Sequence, residues 1–215
     1  MIYPGITHVV ITELAMSAEE KARTSLESQL AEGQRVRNEF YSRQSEELIA
    51  ISKLMGEVIG NGNKLLICGN GGSAADSIHF SGELVGRMMR ERRPLPAISL
   101  ASDISALTAI GNDYGYDHVF VRGVQAFGKR GDILFAISTS GKSPNVLKAV
   151  EAAKEIGMTV IALTGGTGGP LGAMAHRHLN VALGKNSPRI QEVHIQVIHL
   201  LVDLMDEFFL PESQA

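Results

Sequence analysis

Apolar residues between positions 26 and 59 recur at helical spacing: Leu26, Leu30, Val36, Phe40, Leu48, Ile51, Leu54, Met55, Val58 and Ile59. That spacing gathers them on one helical stripe. Ahead of it, Ser17-Ala18-Glu19-Glu20 has the form of a capping box, with a serine oxygen for a free backbone N–H and a glutamate that reaches back. The pattern predicts an irregular start followed by two helices that stop at Asn61-Gly62-Asn63. Their apolar face is too wide to stay in water, so it should cover the rest of the domain and also meet the same helices of another subunit.

From residue 64 the period changes. Short apolar runs at 65–68, 97–100, 133–137, 159–163 and, more weakly, 179–181 are each followed by Gly, Ser or Asn and then by an amphipathic segment. Strand and helix alternating in this way predict a three-layer α/β/α fold with a five-stranded parallel sheet and right-handed crossovers. Ligands of such sheets bind at the carboxyl ends of the strands. The segment 190–209 carries Val193, Val197, Leu200, Leu201, Leu204 and Phe208 at helical spacing and should form a long closing helix.

Composition narrows the function classes. With 215 residues, 44% hydrophobic and 20% charged, the chain can bury one sizeable core, so residues 1–215 are read as one domain whose first 60 residues form a helical packing segment. A net charge of -3 without a basic stripe argues against a nucleic-acid partner. The apolar runs are too short to cross a membrane, and the single cysteine, Cys68, can form no internal disulfide. Together these point to the cytoplasm.

Two loops at expected strand ends are suited to an anion. Cys68-Gly69-Asn70-Gly71-Gly72-Ser73 lets the backbone approach a ligand ahead of a helix N-terminus. Ser138-Thr139-Ser140-Gly141-Lys142-Ser143 offers neutral hydroxyl donors before Pro144, a good first-turn residue. Neither has the GxGxxG or GxxxxGK[ST] spacing of a nucleotide site. Beyond the first loop, His79 and Glu83 stand one turn apart on a helix face, as half of a divalent-metal site or as an ordinary polar face. His199 interrupts the aliphatic run of the closing helix, where a hydrogen-bonded core histidine is the plainer reading.

The two loops together resemble the signature of sugar isomerase (SIS) domains. Ala74-Ala75-Asp76-Ser77-Ile78-His79-Phe80, Gly111-Asn112-Asp113 and Arg189-Ile190-Gln191-Glu192 narrow the resemblance to the phosphoheptose isomerase subgroup. The resemblance implies a homotetramer with active sites at subunit interfaces, zinc as cofactor, and sedoheptulose 7-phosphate as substrate, converted to D-glycero-D-manno-heptose 7-phosphate at the first step toward ADP- or GDP-heptose. It places His79, Glu83, Gln191 and His199 at metal-ligand positions, and Glu83 and His199 at acid/base positions. It assigns substrate binding to Asn70, Gly71, Gly72, Ser73, Glu83, Asn112, Asp113, Ser138, Thr139, Ser140, Ser143 and Gln191. Gln191 and His199 are eight residues apart, about 12 Å along a continuous helix. Either Gln191 lies at a frayed helix start and reaches forward, or a neighbouring chain supplies part of the site.

Two departures from the family pattern carry no functional claim: Pro188 before Arg189, and the segment 1–16. Arg90-Glu91-Arg92-Arg93 reads as a solvated turn, and His8, His118, His176, His178 and His194 as structural or exposed. Thr164-Gly165-Gly166-Thr167-Gly168-Gly169 reads as a loop shaped for close packing. SIS domains also serve as non-catalytic adaptors of the replication initiator-associating type and as sugar-phosphate-binding regulators. Retention of Glu83 and His199 favours the enzyme, and the weakly basic first 60 residues disfavour a DNA-binding regulator.

Overall fold

The computed structural model describes residues 16–209. The irregular start expected before Ser17 lies outside the described residues. One helix, α1 (Ala18–Gly60), replaces the two expected. Its capping box is formed: Glu20 N–H donates to Ser17 Oγ at 3.1 Å and Ser17 N–H to Glu20 Oε2 at 2.7 Å. No proline interrupts the segment, and Gly33 alone does not break a helix, so its 43 residues run on for about 65 Å. Its buried residues begin at Val36; before that, Arg189 Nη1 on the last helix donates to the Gln29 carbonyl at 2.9 Å, while Leu26 and Leu30 are each 58% exposed.

The remaining elements alternate as β1 (Leu65–Gly69), α2 (Gly72–Val85), β2 (Ala97–Ser99), α3 (Ile104–Tyr114), α4 (Val121–Phe127), β3 (Ile133–Ser138), α5 (Pro144–Ile156), β4 (Thr159–Gly165), α6 (Gly169–Met174), β5 (Arg177–Val181) and α7 (Ser187–Phe209). Pro144 and Pro188 both sit in first turns, where the missing N–H costs no hydrogen bond. All strand pairs are parallel, in the order β2-β1-β3-β4-β5. The order reverses between β1 and β3, and a crevice opens there at the carboxyl ends of these two strands.

Alternation along each strand builds two cores. Leu65, Ile67, Ile133, Phe135, Ile161 and Leu163 face α1, α2 and α7, while Leu66, Cys68, Leu134, Ala136, Val160 and Ala162 face the layer that contains α4 and α5. The first core is the larger and fixes α2 beside α7. Cys68 is fully buried, and burial pushes its thiol up to about 12, as suits a small packing residue.

Candidate active site

The two glycine- and serine-rich loops meet across the β1/β3 crevice. Gly71, with φ +55°, turns the chain into α2. Behind it the Asn70 and Asn145 carboxamides exchange hydrogen bonds, Asn70 Nδ2 donating to Asn145 Oδ1 at 2.9 Å and Asn145 Nδ2 to Asn70 Oδ1 at 2.8 Å. Asn145 is buried at the start of α5, so this pair ties the first loop to the second. Tyr116 Oη also donates to Asn70 Oδ1, at 3.1 Å, drawing in the segment that follows α3. Asn112 and Asp113 lie in the last turn of α3, exposed and bonded to each other at 2.8 Å. Neither Asn145 nor Tyr116 stood out in the sequence; they lie two and three residues outside a motif, and the role of each depends on a partner far along the chain.

In the second loop Ser138 is buried, and its Oγ lies 3.1 Å from Ser143 Oγ and accepts from Gly141 N–H at 3.2 Å. Ser140 Oγ accepts from Lys142 N–H at 3.2 Å. Thr139 Oγ1 stands 3.4 Å from Ser187 Oγ, so the loop also touches the start of α7. The segment after β4 supports it from behind: a Cβ on Gly169 would come within 2.6 Å of the Gly141 carbonyl oxygen, the close packing expected of residues 164–169, and Leu171 N–H in α6 donates to that same carbonyl at 3.0 Å.

Helices α2 and α7 run side by side in the same direction. Near their starts, a Cβ on Gly72 would overlap the Gln191 carboxamide. Two turns further along both, His79 Nε2 and His199 Nε2 are 2.9 Å apart, and His79 Nε2 is 3.3 Å from Glu83 Oε1. The ligand atoms of His79, Glu83 and His199 all lie within 4.8 Å of one another. Gln191 is five residues inside α7 rather than at a frayed start, and within one chain it stays about 12 Å along the helix from His199.

Two imidazole nitrogens that face each other at hydrogen-bond distance, with a carboxylate beside them, offer more electron pairs than protons. That donor set fits a divalent cation with an open position. His79 and Glu83 keep 42% and 20% of their side-chain surface exposed, so the cluster is reachable from solvent. One turn before His79, Asp76 is pushed up to about 6 by burial, with His79 opposing the shift. Its Oδ2 is buried without a hydrogen-bond partner among the described residues.

The basic turn departs from expectation. Arg92 is buried and paired with Asp206, because the α2 end and α7 close over it. His194 is also buried, its Nε2 3.0 Å from the Thr164 carbonyl.

The SIS domain family model matches residues 30–165. A phosphoheptose isomerase of Nitratidesulfovibrio vulgaris (strain DSM 19637 / Miyazaki F) is 44% identical over 196 residues, covering 91% of this chain and 94% of that protein. The phosphoheptose isomerase of Aliarcobacter butzleri is 51% identical over 161 residues, covering 75% and 85%. The solved phosphoheptose isomerase of Neisseria gonorrhoeae superposes with a TM-score of 0.82 at 45% identity, over 86% of this chain and 99% of that one. A sheet with its switch point between two phosphate-suited loops, and relatives of this identity across nearly the whole chain, lead to one assignment: the chain belongs to the SIS-domain family and, within it, to the phosphoheptose isomerases.

Proposed function

We propose that this isomerase interconverts sedoheptulose 7-phosphate and D-glycero-D-manno-heptose 7-phosphate through an enediol, supplying the precursor of a nucleotide-activated heptose. The observation that carries the reading is the convergence of His79, Glu83 and His199 on one point, about 10 Å along α2 from the paired loops. A phosphate held at the loops and a carbonyl held at the cluster are then the two ends of one extended sugar.

Ketose and aldose differ by one proton moved between C1 and C2 and another between their oxygens. In this reading, one of Glu83 and His199 removes the proton from C1 while the other protonates O2, giving the enediol; the reverse transfers at C2 and O1 complete the aldose. His79, Glu83 and His199 hold a zinc ion, which when bound polarises the carbonyl oxygen. Ser138, Thr139, Ser140 and Ser143 bind the phosphate, whose remote binding energy holds the reacting carbons in place. Asn70, Gly71, Gly72, Ser73, Asn112 and Asp113 face the sugar. Gln191, beside Gly72, serves the substrate end within one chain, and a metal role for it requires a second copy of the chain.

A homotetramer is part of the proposal. The exposed first half of α1, with Leu26 and Leu30, is left for a subunit contact, and so is α3, an apolar helix with no buried residue whose Ile104 is 73% exposed. No helix among the described residues is long and apolar enough to cross a membrane, in keeping with a cytoplasmic enzyme that acts on a small phosphorylated metabolite.

Glu83→Gln tests the chemistry. It should lower turnover at least ~100-fold while sedoheptulose 7-phosphate still binds, since the amide keeps the shape but loses the proton-transfer function. A variant with wild-type rate would defeat the mechanism.

A further inference from the structure

Arg92 is used by no step of this chemistry, yet it is the most fully engaged cation near the cluster. Only 2% of its side-chain surface is exposed, and 4% of that of Asp206. Its Nε donates to Asp206 Oδ1 at 2.9 Å, its Nη2 to the Glu83 carbonyl at 2.8 Å, and its Nη1 to the Leu84 carbonyl at 2.9 Å. Longer bonds from Nη1 reach the carbonyls of Gly86 at 3.4 Å and Arg93 at 3.3 Å. Glu83 and Leu84 lie in the last turn of α2, where carbonyls have no partner inside the helix and a positive charge is favoured. Asp206 lies on α7, two turns beyond His199.

One planar guanidinium therefore grips the backbone of the helix that carries His79 and Glu83 and, through Asp206, the helix that carries His199. Stability alone does not account for this arrangement, because an apolar pair of similar volume commonly serves a buried position as well as an ion pair does. The neighbouring Arg90–Glu207 pair is more exposed and adds little.

We propose that Arg92, anchored by Asp206, is a positioning residue that fixes the end of α2 against α7 and so sets the distance from His79 and Glu83 to His199. This rests on the metal and acid/base reading of that cluster. Loss of the clamp should loosen the cation site and slow the chemistry without touching the phosphate loops.

The test uses the full-length protein, with zinc affinity read by competition with a chromophoric chelator, kcat and KM on sedoheptulose 7-phosphate, and the thermal midpoint. The double variant R92M/D206L fills the volume without charge. It should remain folded, bind zinc roughly 10- to 100-fold more weakly and lose kcat, with KM little changed. R92K keeps the charge but cannot reach Asp206 and both carbonyls at once, so it too should weaken zinc several-fold. R92K decides the matter if the double variant does not fold. Wild-type zinc affinity and kcat in either folded variant overturn the proposal. The underlying reading fails separately: Glu83→Gln with unchanged zinc affinity and turnover removes the cluster from the chemistry, whatever Arg92 does.

Discussion

Replacing Gly141 by alanine should destabilise the protein by about 3 kcal/mol or more, most of it from a contact outside its own loop. Gly141 has φ +63°, a conformation that costs an alanine roughly 1 kcal/mol. Gly62, which closes α1 through hydrogen bonds from its own N–H to the Ile59 carbonyl and from Asn63 N–H to the Val58 carbonyl, also has positive φ, +79°, but nothing lies within 4 Å of a Cβ built there. At Gly141 the added Cβ would overlap the Gly168 carbonyl oxygen and come within 2.6 Å of its carbon and 3.1 Å of Gly169 N. These are backbone atoms, held by hydrogen bonds from Gly168 N–H to the Gly165 carbonyl and from Leu171 N–H to the Gly141 carbonyl, each 3.0 Å. The loops after β3 and β4 must therefore separate, which adds about 2 kcal/mol on the scale of overpacked sites. Urea unfolding of wild type, G62A and G141A at one fixed protein concentration measures the difference, since assembly would make the midpoint depend on concentration. Losses of about 1 and at least about 3 kcal/mol are expected, with a raised KM for G141A because the phosphate loop shifts. Equal losses would refute the claim that the two loops interlock through their backbones.

Two further outcomes follow from the same geometry. Burial holds His194 down to about 4, with the Thr164 carbonyl opposing, against an ordinary 6.5. Between these values the unfolded chain takes a proton that the folded protein refuses, so stability falls as pH drops from about 6.5 toward 4 and His194 contributes nothing to the slope above that window. His194→Gln keeps an N–H for the Thr164 carbonyl; from pH 6.5 to 5 the wild type should lose about 2 kcal/mol more than the variant by chemical denaturation. Asp76 titrates in the opposite sense but is common to both proteins, and parallel curves would show that His194 does not titrate in this way. Ser143→Ala removes a hydroxyl from the N-cap of α5 and the neighbour of Ser138 Oγ; it should raise KM about tenfold with little change in kcat, and the reverse split would move the phosphate elsewhere.

Much of the scaffold was legible because its signals are local. Each of the five strands falls where an apolar run marks it, and both phosphate-suited loops sit at strand ends, since Gly, Ser and Pro declare turns and helix starts by their own geometry. The continuity of α1 was not legible: the apolar stripe weakens between Phe40 and Leu48, and a weak stretch looks the same whether the helix breaks or merely leaves the core. Arg92 was misread for a related reason. Four charged residues in a row normally mark solvent, and only the fold brings Asp206 across to neutralise one of them. His79 and Glu83 could be paired from their spacing, but His199 could join them only once α2 and α7 were known to lie parallel. The same alignment separates Gln191 from that group, a distance the helical rise already indicated.

The central claim is tested most directly by turnover of sedoheptulose 7-phosphate by the purified protein, before and after chelation and again after zinc is restored, with fructose 6-phosphate as the competing sugar. The account predicts activity on the heptulose that chelation removes and zinc returns, with little on the six-carbon sugar. Activity that survives effective metal removal would strip the cation from the mechanism, and inactivity on both sugars with zinc supplied would contradict the isomerase reading and leave a sugar-phosphate-binding adaptor in its place.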